Sequence, residues 1–260
     1  MNPRRIARIA AAFLPLLAWP AAAWDLNCKY SADRRAELDA AGAERLEVVA
    51  RAGDLKVEPG PGAVVSASGR ACASSEEFLE QTQIRTQREG SVLRVFVQVP
   101  DEMKGIGIFY AALDLTVRVP GSLPVSITDT SGDMTVENVR VTSITDSSGD
   151  MLLRGTRGDV ELNDSSGDLR VENTEGAVTI TDSSGDIRVE RAGSVRIRTD
   201  SSGDITINGI AGDVLIERDS SGDISVSGVG GRMELVADSS GSVRVTDVKG
   251  SVTLPPNKRN

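Results

Sequence analysis

Thirteen aspartates recur in this chain at a regular spacing, and they are the residues whose type and arrangement suggest chemistry. DTSGD occupies residues 129–133. DSSGD follows at 146–150, 164–168, 182–186, 200–204 and 219–223, and DSSGS at 238–242 closes the series. Carboxylates repeated in oxygen-rich turns suit a hard cation. Asp146, Asp150, Asp164, Asp168, Asp182, Asp186, Asp200, Asp204, Asp219 and Asp223 are therefore candidate calcium ligands. Calcium-binding solenoids use the nine-residue pattern G-G-x-G-x-D-x-U-x, and this chain departs from it, with one glycine per half-turn and the full motif once per 18 residues or so. Paired carboxylates can also hydrolyse glycosides, but that chemistry needs one asymmetric cleft and this motif is nearly identical at each recurrence. No catalytic residue is assigned, and the chain reads as a non-enzyme without a cofactor, calcium aside.

Composition narrows the choice further. The 260 residues contain no histidine, two cysteines and eight aromatics, the last of them Tyr110. Residues 111–260 therefore cannot supply a Ser-His-Asp or Cys-His nucleophile, a His/Cys metal site or an aromatic platform for bases. The formal charge of −9 argues against nucleic acid as a partner.

The elements that carry the aspartates follow from periodicity. Successive motifs lie 17 to 19 residues apart, and glycines at roughly nine-residue steps are each followed by aliphatic-x-aliphatic, as in Ile187-Arg-Val189 and Val195-Arg-Ile197. This is β alternation bounded by turns. One such strand pair buries too little to fold alone, so the repeats must stack. Strand pairing between successive turns gives a parallel β-solenoid with rungs about 18 residues long, and seven rungs span roughly 30 Å. The half-period favours two main sheets, and a short third face at the TDSS segment stays open. In a purely structural reading, backbone N–H groups solvate the turn carboxylates. Arg170, Arg188, Arg198 and Arg218 then balance a region, 129–250, that carries 23 acids and 12 bases.

The flanking segments set the context. Residues 1–23 combine Arg4, Arg5 and Arg8 with an apolar run and small residues ending at Ala23, the pattern of a cleaved signal peptide. Its removal takes the charge to −12, and no membrane span is expected in the mature chain. Export places Cys28 and Cys72 in an oxidising compartment, where a disulfide between them is expected. Residues 24–128 read as a β-rich cap with degenerate early solenoid turns, since Gly53-Asp-Leu-Lys-Val57 matches the repeat core. Residues 129–254 form the regular solenoid and 255–260 a tail. Residues 103–113 are the most apolar patch outside the leader, so Ile106, Ile108, Phe109 and Tyr110 are candidates either for a loop folded onto the solenoid or for one that touches a partner.

The strand Leu115–Pro120, the following Pro124–Ile127 and the reiterated Ser-Gly-Asp-φ-x-φ resemble a bacterial family of exported β-strand-repeat proteins, the putative adhesins, a domain of unknown function. The resemblance covers residues 44–254. It implies a right-handed parallel β-helix in the all-β class, a periplasmic or cell-surface location, and no catalytic residues. The expected role is a cell-envelope interaction scaffold binding a protein or surface glycan, with end-to-end self-association through open solenoid ends. A calcium-dependent acidic solenoid and an envelope-stress regulatory component are the alternatives.

Overall fold

The computed structural model describes residues 28–100 and 109–258. The leader 1–23, Ile106 and Ile108 lie outside them. Each Gly-Asp-φ-x-φ unit is a short strand whose alternate side chains point inward. On one face Leu55, Met134, Met151, Leu169, Ile187, Ile205, Ile224 and Val243 stand opposite one another in parallel register. On the other, Val48, Ile127, Ile144, Leu162, Ile180, Ile197, Ile216 and Leu235 do the same. All but the terminal Val243 are buried. Burying each such side chain contributes about 1.5–3 kcal/mol. The two ladders face each other across a single apolar core that runs the length of the stack. Two 13-residue strands, Leu169–Thr181 and Ile187–Thr199, continue through the half-turn, so both faces belong to one 20-stranded sheet.

The N-terminal part is stacked out of chain order. Its elements are β1 (Tyr30–Asp39), β2 (Arg45–Val49), β3 (Leu55–Gly60), β4 (Val64–Ala73), α1 (Glu76–Gln81), β5 (Gln83–Glu89), β6 (Val92–Gln98) and β7 (Ala111–Pro120), followed by the first repeat rung, β8 (Val125–Thr128) and β9 (Met134–Glu137). Strand β2 pairs in parallel with β8 on one side and β6 on the other, and β3 pairs with β9 and β7. The rung made by β2 and β3 thus sits between two rungs that come later in sequence. It places Gly53-Asp-Leu-Lys-Val57 directly under the first DTSGD turn.

Antiparallel pairs β1–β4, β4–β7 and β5–β6 then close this end. Strand β1 was not apparent from the sequence, because its half-buried residues Tyr30, Ala32, Arg34, Ala36 and Leu38 include small and charged types. Its charged flanks suit an edge that must not recruit further strands. Helix α1 is too short for a 3.6-residue period to show. Ser75 Oγ caps it by accepting the Phe78 N–H at 3.2 Å, and the Arg34 guanidinium donates to the carbonyls of Leu79 and Thr82 at its other end. Cys28 and Cys72 are joined by a disulfide with a Cα–Cα distance of 5.5 Å, which ties the start of β1 to β4.

A second corner recurs four residues after the first inward side chain of each rung. Asn138, Gly155, Asn173, Arg191, Gly209, Gly228 and Asp247 all adopt left-handed backbone, with φ between 51° and 71°. Glycine and asparagine tolerate this conformation and β-branched residues do not. Gly209→Val is expected to cost about 2 kcal/mol. Gly209→Asn should be nearly neutral, since asparagine holds this corner in two other rungs. Urea denaturation midpoints of the two variants check the difference.

Candidate functional site

The DSSGD turn separates its two aspartates completely. The second aspartate of each motif points outward and is exposed, while the first is buried. The positive-φ glycine between them makes this reversal. At Gly185, with φ of 131°, an added Cβ would lie 1.8 Å from the carbonyl oxygen of Gly167 in the preceding rung. The backbones approach so closely that only hydrogen fits.

The outer aspartates form a continuous ladder. The Asp150 N–H donates to Asp133 Oδ1 at 3.1 Å, Asp168 N–H to Asp150 Oδ1 at 3.0 Å, and Asp186 N–H to Asp168 Oδ1 at 3.0 Å. Asp204 N–H to Asp186 and Asp223 N–H to Asp204 continue it at 2.9 and 2.8 Å. The ladder begins earlier than the motif does. Asp133 N–H donates to Asp54 Oδ1 and Asp54 N–H to Asp114 Oδ1, each at 3.1 Å. Asp54 was legible in Gly53-Asp-Leu-Lys-Val57. Asp114 was not, because no glycine precedes it. At the far end Ser242 N–H donates to Asp223 at 2.8 Å, and this bond holds the Asp223 carboxyl below the usual carboxylate range. Ser242, standing where the motif has its second aspartate, offers no carboxylate to a further rung.

Serine hydroxyls add a parallel set of bonds. Ser166 Oγ donates to the Ser147 carbonyl, Ser184 Oγ to Ser165 and Ser221 Oγ to Ser201, each at 3.1 Å. Each outer carboxylate is thus solvated by the rung above it, and the motif works as a stacking device.

The inner aspartates face a different environment. Asp129, Asp146, Asp164, Asp182, Asp200, Asp219 and Asp238 are at most 5% exposed and stand one per rung. In Asp129, Asp146 and Asp164 one oxygen accepts the N–H of the next residue at 2.7 Å, while Oδ2 is buried without a partner. Neither oxygen of Asp182 or Asp219 reaches hydrogen-bond geometry. Burial is the main force raising Asp129, Asp146, Asp164, Asp182, Asp200 and Asp219; a column neighbour adds to it in all but Asp164, where Asp150 does. Asp129 and Asp200 are pushed up to about 7, and Asp146, Asp182 and Asp219 to about 6. Two charges about 4.8 Å apart repel by roughly 3–4 kcal/mol at an effective dielectric near 20. The column ends on a cation. Lys258 Nζ lies 3.0 Å from Asp238 Oδ2 with both side chains largely buried, and Asn257 Nδ2 donates to the Asp238 carbonyl at 2.8 Å.

The candidate calcium ligands therefore fall into two groups on opposite sides of the backbone. Among the described residues no three Asp, Glu, His or Cys side chains gather as a metal site. Three of the four strand arginines meet glutamates of the same region rather than the turn aspartates. Arg170 pairs with Glu172, Arg188 with Glu190 and Arg198 with Glu161. The first two pairs are residues two apart on one strand face, whereas the aspartates sit at the corner. In the apolar stretch Phe109 packs edge-to-face on Phe78 at 5.8 Å, and Tyr110 Oη accepts the Lys29 N–H at 2.9 Å. Among the described residues no helix is long and apolar enough to cross a membrane.

Three solved structures resemble this one along nearly their whole length. A putative lipid binding protein from Parabacteroides distasonis superposes with a TM-score of 0.53 at 16% identity, covering 86% of this chain and 97% of that one. A putative adhesin from Bacteroides fragilis has a TM-score of 0.46 at 12% identity, with 86% and 97% covered. A putative cell adhesion protein from Clostridium sporogenes has 0.42 at 10%, with 86% and 98% covered. At these identities the likeness concerns the fold alone, and only the first exceeds a TM-score of one half. No curated protein sequence matches the chain. The Toastrack DUF4097 family model matches residues 43–201, which take in the β2–β3 rung, the closing strands β4 to β7, the DTSGD turn and the first three DSSGD turns. The chain belongs to the Toastrack DUF4097 family.

Proposed function

We propose that this protein is a non-enzymatic, exported interaction scaffold of the cell envelope that meets its partner along the aspartate turn edge. The observation that supports this reading is the outer ladder. It presents exposed carboxylates from Asp133 to Asp223, one per rung, each held in place by a bond to the next rung. A rigid, repeated acidic edge suits an extended cationic surface on another protein. It does not suit a small substrate, which needs a concave site with a few convergent groups. Export rests on the leader 1–23 and on the Cys28–Cys72 bridge, which persists in an oxidising compartment.

Cell fractionation and site-specific photo-crosslinking of the full chain test the proposal together. A crosslinker at Ser165 or Ser201, on the turn edge, should trap a discrete partner in the envelope fraction. The same crosslinker at Thr179, on a strand face, should not. Cytoplasmic retention of the chain, or equal labelling from both positions, would overturn the reading.

A further inference from the structure

The inner aspartate column has no use in stacking, and its chemistry is unmet. Its carboxyls are buried one above another, and several oxygens have no hydrogen-bond partner. The charged groups that face the column are few. Asp54 lies near Asp129 and Asp150 near Asp164, and both add negative potential. Lys258 acts on Asp219 and Asp238 at one end only. A fully ionised column would hold seven like charges against one lysine among buried side chains. Buried charges without partners neutralise instead.

We propose that the inner column is a proton-binding site, in which the stacked carboxyls from Asp129 to Asp219 hold protons in the folded chain at a pH where a free aspartate is ionised, each protonated oxygen donating to the bare oxygen of the next rung, and release them when the solenoid opens. The raised proton affinity of Asp129, Asp146, Asp182, Asp200 and Asp219 agrees with this. The unfolded value of an aspartate is about 3.9. Between that value and about 7 the folded chain binds more protons than the unfolded one. Stability is then complete at the acid end of this window and is lost as pH rises through the folded values. Glu58, Glu172, Glu190 and Asp223 have lowered values and act oppositely, but only as pH falls below the ordinary carboxylate range. Between pH 8 and 5.5 the inner column dominates.

Two measurements on the mature chain test the proposal. The melting temperature should rise by about 10 °C from pH 8 to pH 5.5. The rise should fall to less than half in the variant carrying Asp182→Asn, Asp200→Asn and Asp219→Asn, because amides keep the shape without titrating. Infrared spectroscopy with 13C-labelled aspartate should show a protonated-carboxyl band in the native protein at pH 6 that vanishes on unfolding at the same pH. That second readout needs no variant to fold. A native spectrum at pH 6 without the band, or a melting temperature that is flat or falls from pH 8 to 5.5, would overturn the proposal.

Discussion

Gly185→Ala is expected to cost about 4 kcal/mol or more, enough to abolish the folded solenoid at moderate temperature. Two independent effects act at this position. The backbone sits at φ of 131°, which a residue with a Cβ avoids, and the new methyl would lie 1.8 Å from the Gly167 carbonyl oxygen. Neither can be relieved locally, since Gly167 rests in the same way on Gly149, and Gly203 on Gly185. Moving one rung shifts the stack. Gly121→Ala is the control. Its Cβ would meet nothing within 4 Å at an ordinary φ, and the change should stay within about 0.5 kcal/mol. Circular dichroism melts of the two variants decide the matter. A Gly185→Ala protein that melts with the parent would mean the rungs are not packed backbone on backbone.

Lys258→Met is expected to cost about 3–5 kcal/mol, concentrated in the last rung. Lys258 is the cation that meets the buried Asp238 carboxylate at the end of the inner column. Removing it leaves Asp238 either charged without a partner or obliged to take up a proton at neutral pH as its column neighbours do, and either outcome costs far more than an exposed pair contributes. Because solenoid rungs contact mainly their neighbours, the loss should appear as fraying of Val243–Val248 rather than as uniform destabilisation. Hydrogen exchange resolves this. Adding Asp238→Asn to Lys258→Met should restore much of the protection, since the charge that needed the lysine is gone. If the single variant exchanges like the parent, the tail does not cap the column.

Much of this architecture was legible in the chain. The spacing of Ile187, Ile205 and Ile224 at 18 and 19 residues is the register seen between their strands. The glycine of each motif marked the turn, and Gly53-Asp-Leu-Lys-Val57 marked an early rung. The stacking order was not legible. That β2–β3 lies between β6–β7 and β8–β9 depends on pairings between segments far apart in sequence, and short aliphatic strands do not encode which neighbour they choose. The left-handed corner was hidden because Asn138, Arg191 and Asp247 share a conformation with Gly209 but no chemistry. Aligning the rungs by their inward residues exposes that column.

The two aspartates of the motif were indistinguishable as letters. Four residues apart across a turn, they read as two stacked columns, both of them candidate calcium ligands. The glycine between them turns one to solvent, where the next rung's N–H meets it, and the other into the core, where Asp182 finds no donor in hydrogen-bond geometry. Sequence spacing carries the period but not the side of the backbone, and the chemistry here depends on the side.

Aspartate turns held by the backbone of neighbouring rungs should need no ion. Thermal unfolding of the mature protein at pH 7.5, in EDTA and again with millimolar calcium, tests this most directly. The two melting temperatures are expected to agree within the error of the measurement. A rise of many degrees with calcium, reversed by EDTA and lost in Asp168→Asn, would show that the outer carboxylates bind a cation and would contradict the account.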